Sequence, residues 1–286
     1  MRETLWQRLV RGVWRLRQHP DWGQFAGPGW PERIMSVAVT DRLHAKQGRS
    51  IGRWVLESGE RRLVVYLKRH YQLPWWRGLL ALFRPEGRWS PALQEWEHLH
   101  WARAHGLPVP EAVAAGECIG PWGRLQSFLA VAELTGMLPL HQAIPAAAER
   151  LDPVTFRRWK RGLIQELARL ARALHQRRWF HKDLYLCHFY IPEEDTQRLP
   201  AGWRGRVHLI DLHRLAHHPW TWRRWQAKDL AQLLYSSEIP GVDARDRLRF
   251  WRIYLGAERR GWAARWLHRR VRLKWWSYRR HNRKPR

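Results

Sequence analysis

The residues of this chain best suited to chemistry are a lysine, a glutamate, a His-Lys-Asp triplet and a second aspartate, spread across half of its length. Lys68 closes the apolar run Val64-Val65-Tyr66-Leu67. On a pleated strand Val64, Tyr66 and Lys68 share one face. A lysine turned inward needs an anion, because an unpaired buried charge is costly; Arg69 beside it reads as a surface residue. Glu95 and Glu97 follow on the next predicted helix, where residues two apart face different ways. Then come His181-Lys182-Asp183, His188 five positions after Asp183, and Asp211 behind the apolar run Val207-His208-Leu209-Ile210. Moving a phosphoryl group to a hydroxyl needs few parts: a cation on the nucleotide phosphates, an acid fixing that cation, a carboxylate orienting the hydroxyl, and metal ligands. The chain offers a candidate for each, in that order along its length.

The elements that must position these residues follow from periodicity and punctuation. Two β-rich runs, Arg53–Glu57 and Leu63–Leu67, flank Ser58-Gly59-Glu60, which predicts a hairpin. Gly48 and Gly52 precede it and offer a weak nucleotide-loop signal, which a plain hairpin turn would share. A helix is predicted over 90–105, with Ser90 as its cap and Pro91 at its first position. Two further strands follow, in LPVPEAVAAGE and GRLQSFLAVAEL. Beyond Gly136 the pattern turns helical, with Trp159, Leu163, Leu167, Leu170 and Leu174 in one apolar stripe. A last helix carries Leu267, Val271, Trp275 and Tyr278 on one side and runs into a basic tail, YRRHNRKPR. At the other end Leu5, Leu9, Val13 and Leu16 step at helical spacing among arginines, predicting a basic amphipathic helix before a Gly/Pro-rich loop.

Composition limits the partners. Against 25 acidic residues stand 52 Lys and Arg, a formal charge of +27 over 286 residues. Such a field draws polyanions: nucleic acid, anionic lipid or a phosphorylated substrate. The 22 Trp favour a membrane–water boundary, where an amphipathic ring has one apolar and one wet end. Cys118 and Cys187 are the only cysteines, so a disulfide framework is not implied. The N-terminal segment has no long apolar core of a secretory signal, and no stretch approaches the ~20 apolar residues of a span. These features predict a cytoplasmic protein resting on a surface.

The motif HKDLYLCHFYI…LIDLHR, with YLKRH, LQEWEHLH and AKDLAQLLYSS, resembles the lipopolysaccharide kinase (Kdo/WaaP) family. The resemblance runs from about Gly48 to Ser237 and leaves both ends outside it. It implies an α+β, protein-kinase-like two-lobed fold; along the chain we expect a basic extension over 1–36, a β-rich lobe over 37–134 and a mainly helical lobe over 135–286. It implies that Asp183 orients the acceptor hydroxyl, that Lys68 holds ATP phosphates, and that Glu95 rather than Glu97 pairs with Lys68. Gly48 and Gly52 would cover the phosphates, and Glu133 and Leu134 would meet adenine through backbone groups. Asp211 would bind Mg²⁺. His188 stands where protein kinases place a metal-binding Asn; a ring nitrogen is a poorer Mg²⁺ ligand than a hard oxygen, so metal ligation and phosphate donation both stay open. His181 would bond the backbone near Asp211, and Asp229 would brace the catalytic loop.

Asp229 follows Asp211 by only 18 residues, which leaves little room for a peptide platform and favours a sugar hydroxyl as acceptor. Arg204, Arg206, Arg214, Arg223 and Arg224 are candidate clamps for acidic groups on it. The resemblance implies an inner-core sugar of lipopolysaccharide as acceptor, heptose before Kdo. It places the enzyme peripherally on the cytoplasmic face of the inner membrane, held by its basic, Trp-bearing ends, with no nucleic-acid partner. Two other classes compete. A metal-dependent hydrolase would use His181, Asp183, His188, Asp211 and His213 as ligands, but leaves Lys68 and Glu95 without a role. A polyanion-binding module would explain the charge and the Trp, but not the placement of the carboxylates.

Overall fold

A computed structural model describes residues 4–39, 41–46, 48–84, 86–87, 89–257 and 261–282. The chain divides into two compact units, Met1–Ala104 with Pro110–Leu134, and His105–Val109 with Thr135–Arg286.

The first unit contains α1 (Leu5–Val10), β1 (Val13–Gln18), the short helices α2 (Trp22–Ala26) and α3 (Trp30–Arg33), β2 (Asp41–Lys46), β3 (Arg49–Ser58), β4 (Arg61–His70), α4 (Trp75–Phe83), α5 (Pro91–Ala104), β5 (Ala112–Ile119) and β6 (Leu125–Ala132). Its strands form one antiparallel sheet in the order β1-β5-β6-β4-β3-β2. Gly59, at φ 59°, turns β3 into β4, and pairing extends from Ser58↔Arg61 out to Arg49↔His70, well beyond the apolar runs. Ser90 caps α5, its Oγ accepting the Leu93 N–H at 3.3 Å.

The two faces of β4 divide the labour. Val65, Leu67 and Arg69 are buried on one face, against a core holding Trp22, Trp30, Ile34 and Phe128. The alternate residues Val64, Tyr66 and Lys68 take the other face, where Lys68 meets α5. Arg69 is therefore not a surface residue. At 2% exposure it donates to Ser50 Oγ and to the carbonyls of Met35 and Val37 at 3.1, 3.2 and 2.8 Å. A guanidinium has donors enough to serve all three.

The single helix expected over Leu5–Leu16 is also corrected. It ends at Val10; Gly12 turns the chain at φ 73°, and β1 pairs with β5 at the sheet edge. Trp22 and Trp30, from the expected loop, plug the core.

The second unit contains β7 (Met137–Pro139), α6 (Leu140–Arg150), α7 (Pro153–Gln176), β8 (Trp179–Phe180), β9 (Phe189–Pro192), β10 (His208–Leu209), β11 (Ala216–His217), α8 (Trp222–Ser236), α9 (Ala244–Leu255) and α10 (Trp262–Asn282). Asp152 caps α7, its Oδ1 accepting the Val154 and Thr155 N–H at 2.9 and 3.1 Å, with Pro153 at the first position. Trp159, Leu163, Leu167, Leu170 and Leu174 are all buried along it. Truncating one such leucine costs about 2–5 kcal/mol. α9 packs on α7, and α10 on α8. On α10 Leu267 and Val271 are buried and the Trp275 indole donates to Glu238 at 2.7 Å. The last four residues of the basic tail, 283–286, lie outside the described residues.

Candidate active site

In the first unit, Lys68 Nζ lies 2.6 Å from Glu95 Oε1, and the two side chains are 19% and 6% exposed. A strand and a helix thus present one ammonium–carboxylate pair that is largely out of water. Gly48 sits in the β2–β3 turn at φ 77°, a conformation open to glycine, and its carbonyl accepts the Tyr71 N–H at 2.9 Å. Gly52 lies within β3, opposite Leu67, and so is part of a ladder rather than of the turn. Glu133 commits its N–H to the Val64 carbonyl at 2.9 Å and its carboxylate to Arg53 at 2.8 and 2.9 Å. Leu134, half-buried, ends the unit.

In the second unit, the loop carrying His181-Lys182-Asp183 is fastened to α8 by its backbone. The Asp229 carboxylate, fully buried, accepts the His181 N–H and the Lys182 N–H, each at 2.8 Å. Gln232 Oε1 accepts the Leu184 N–H at 3.1 Å, and Ser236 Oγ the Leu186 N–H at 2.9 Å. Residues 229, 232 and 236 recur at helical spacing, so one edge of α8 meets four amides of the loop. The attachment holds Lys182 at φ 69°, a left-handed conformation unusual for a side-chain-bearing residue. The His181 ring is fully buried with Nε2 at 3.0 Å from the Ile210 carbonyl, and burial lowers its pKa.

Asp183 and Asp211 are both near His188. His188 Nδ1 donates to the Asp183 carbonyl at 2.6 Å, and its Nε2 lies 3.9 Å from Asp211 Oδ2. Burial disfavours charge on this ring. The Cys187 and Asp183 hydrogen bonds and the Asp211 carboxylate outweigh that and push its pKa up to about 8. Asp211 is one-third exposed, takes a bond from His213 Nδ1 at 2.7 Å, and sits at φ 62°. Its hard carboxylate oxygens suit Mg²⁺, which takes one or two carboxylates together with substrate phosphates.

The five residues of the hydrolase alternative do not gather into a ligand set. Among the described residues no three His, Cys, Asp or Glu side chains are arranged to hold a metal ion.

Two cations beside Asp183 complete the cluster. Arg214 Nη1 donates to Asp183 Oδ1 and Oδ2, and Lys228 Nζ stands 3.9 Å from Oδ1. Lys228 was not legible as a site residue, yet the polar spacing Lys228, Asp229, Gln232, Ser236 along one helix carried the signal. The arginines expected as a clamp have different partners. Arg206 is bonded to Asp195 at 2.6 and 2.8 Å, and Arg223 stacks over Trp222. Of the five, only Arg214 bonds Asp183 among the described residues.

A β-rich unit with a Lys–Glu pair between strand and helix, and a helical unit with a braced His-Lys-Asp loop ahead of a strand-end aspartate, define a protein-kinase-like chain. The model of the lipopolysaccharide kinase (Kdo/WaaP) family matches residues 48–254, and the chain belongs to that family. It is similar to the lipopolysaccharide core heptose(I) kinase WaaP of Pseudomonas aeruginosa, 34% identical over 163 residues, a match spanning 57% of this chain and 59% of that protein. WaaP of Escherichia coli is 32% identical over 200 residues, 65% of this chain and 71% of that protein. A solved structure of WaaP in complex with acyl carrier protein superposes with a TM-score of 0.66 at 26% identity, covering 91% of this chain and 99% of that one.

Proposed function

We propose that this protein transfers the γ-phosphate of ATP to a sugar hydroxyl of the lipopolysaccharide inner core, heptose by preference and Kdo as the near alternative. The observation that carries the reading is the pair of hydrogen bonds that the His181 and Lys182 amides donate to the Asp229 carboxylate, which hold the loop bearing Asp183 in a chain of the lipopolysaccharide kinase family.

In this reading each charged group has one task. Lys68, steadied by Glu95, bonds phosphate oxygens. Asp183 accepts the proton of the acceptor hydroxyl and aims its oxygen at phosphorus. Arg214 yields that carboxylate to the hydroxyl and, with Lys228, offsets negative charge building between acceptor and phosphate. His188, with Nδ1 committed to the Asp183 carbonyl, points Nε2 toward the Asp211 side, where a ring nitrogen suits a phosphate oxygen better than Mg²⁺, which prefers hard oxygen ligands. Asp211 would hold Mg²⁺, which when bound neutralises charge on the phosphates.

The acceptor is amphiphilic, which together with the charge of +27 and the exposed Trp favours a peripheral position on the cytoplasmic face of the inner membrane. No helix among the described residues is long and apolar enough to cross a membrane. An acyl carrier protein, bound by the solved relative, is carried over as a candidate partner and would be detected by co-purification.

The test is transfer of labelled phosphate from ATP to core oligosaccharides of defined length. Incorporation that requires heptose and is lost with Asp183→Ala supports the proposal; label released only as inorganic phosphate, with or without sugar, overturns it. A polyanion binder would be stabilised by nucleic acid and not by Mg·ATP in a thermal-shift assay.

A further inference from the structure

The helix α4 is apolar on both faces. Gly78, Ala81 and Leu82 are buried on its inner side, while Trp75 is 73% and Phe83 70% exposed, with Trp76, Leu79 and Leu80 exposed beside them. A surface helix of a soluble protein keeps its outer face polar; one that is apolar all round belongs between two apolar layers. The patch extends past α4. α1 packs on it and presents Trp6 at 70% exposure. The loop 120–124 adds Trp122 at 77% exposure and is tied in twice: the Trp122 N–H donates to the Leu9 carbonyl at 2.8 Å, and α4 lies so close that a Cβ on Gly78 would come within 1.7 Å of the Gly123 carbonyl oxygen. All three segments lie in the first unit, and none holds a residue of the proposed phosphotransfer machinery.

We propose that α4, α1 and the 120–124 loop form the surface by which this protein docks on an anionic lipid bilayer. The inference rests on the membrane part of the reading above and names its contact face. Residue type selects the occupant. Trp supplies much of the exposed area, and its ring, apolar with one N–H donor, partitions to the boundary between head groups and acyl chains. The three segments, LWQRLV, WWRGLLALF and GPWGR, contain no carboxylate. Cations fringe the patch instead. Arg77 stacks 5.2 Å over Trp76, and Arg11, Arg84 and Arg124 are exposed next to it. An apolar centre within an arginine rim complements anionic phosphates above acyl chains. At nine residues α4 is far short of a span, so it lies in the plane of the interface. This face includes α1, from the basic N-terminal extension expected to touch the membrane, and adds α4 and the 120–124 loop, which the sequence expectation did not name.

The test is co-sedimentation of the full-length protein with vesicles of phosphatidylethanolamine and phosphatidylglycerol, against vesicles lacking phosphatidylglycerol, without nucleotide. The wild type is expected to bind the anionic vesicles and to leave them as salt rises. Trp75→Ser with Phe83→Ser should weaken binding about tenfold or more, given the apolar area withdrawn. Trp276→Ser, exposed on α10, should leave it unchanged. Both patch positions are mostly in solvent, so the variant keeps its fold, which its melting temperature verifies. Binding by the patch variant equal to wild type, or loss confined to Trp276→Ser, overturns the proposal. So does a wild-type dimer that the patch variant breaks while its vesicle binding persists, since a second copy would then be the occupant. Transfer to a soluble oligosaccharide reads out separately: its failure with vesicle binding intact sinks the kinase reading alone.

Discussion

Both carboxylate oxygens of Asp183 are held by one nitrogen of Arg214, at 3.2 Å from Oδ1 and 2.9 Å from Oδ2. The Arg214 side chain is 48% exposed, and a pair in that setting is worth about 0–1 kcal/mol. An arriving hydroxyl therefore displaces it at little cost. Asp183→Ala is expected to lower transfer by roughly 10²–10⁴-fold, the usual yield of a positioned general base. Its Mg·ATP-induced rise in melting temperature should persist, because the nucleotide contacts lie on other residues. Arg214→Ala should leave stability within about 1 kcal/mol of wild type in chemical denaturation. A collapse of the fold there would mean that the ion pair, and not α8, positions the loop.

The Lys68–Glu95 pair gives a second prediction. Both groups are mostly withdrawn from water, so removing either leaves the other under-compensated, at about 1–3 kcal/mol of stability. Lys68→Met is expected to abolish the Mg·ATP thermal shift, since the phosphate cation is gone. Glu95→Gln should keep a reduced shift, because the cation stays but loses its anchor. Thermal denaturation of both singles and the double closes a cycle, and the two changes should be far from additive. Additive effects would show that the pair does not act as a unit.

The placement of three residues was legible in sequence because each rests on local pattern: Lys68 on strand alternation, Asp183 on the His-Lys-Asp motif, and Asp211 on the apolar run before it. The hairpin at Gly59 and the Ser90 cap were legible for the same reason, since turn and cap chemistry operate over three or four residues. What was missed depends on partners distant in sequence. β1 forms because Val13–Gln18 finds Ala114–Ile119 a hundred positions later, and no local period announces that. Arg69 is buried because Ser50 and the Met35 and Val37 carbonyls surround it; adjacent to a site lysine, it read as surface. Lys228 has no motif role of its own beside Asp229, and its place near Asp183 depends on the packing of α8 against the loop. Of the arginines expected as a clamp, Arg206 has acidic partners of its own, Asp195 and Glu194, which its closeness to the motif in sequence does not announce.

Asp229 yields a prediction about stability and activity together. It accepts two amide hydrogen bonds while fully buried and holds Lys182 in a left-handed conformation. Charge-assisted bonds of this kind contribute about 1.5–3 kcal/mol each. Asp229→Ala is expected to cost about 3–5 kcal/mol and to release the loop, lowering the melting temperature and kcat together. Asp229→Asn keeps one carbonyl oxygen but presents an NH₂ to the second amide, so it should fall between wild type and alanine. Full kcat in Asp229→Ala would show that the loop holds its shape without the brace.

Asp211 combines a charge with an awkward backbone, and the two can be separated. At φ 62° and ψ 55° it occupies the left-handed region, which asparagine tolerates nearly as well as aspartate and alanine does not. Asp211→Asn therefore removes the anionic oxygen while sparing the conformation, and Asp211→Ala removes both. If Asp211 holds the magnesium that accompanies ATP, the asparagine variant should melt within a degree or two of wild type and yet lose its Mg²⁺-dependent response to ATP. In the wild type a chelator should erase the same response. The alanine variant should show that loss plus a lower melting temperature from about 1–2 kcal/mol of backbone strain. An asparagine variant that still responds fully to Mg·ATP would assign the metal to other groups and leave Asp211 as a turn residue.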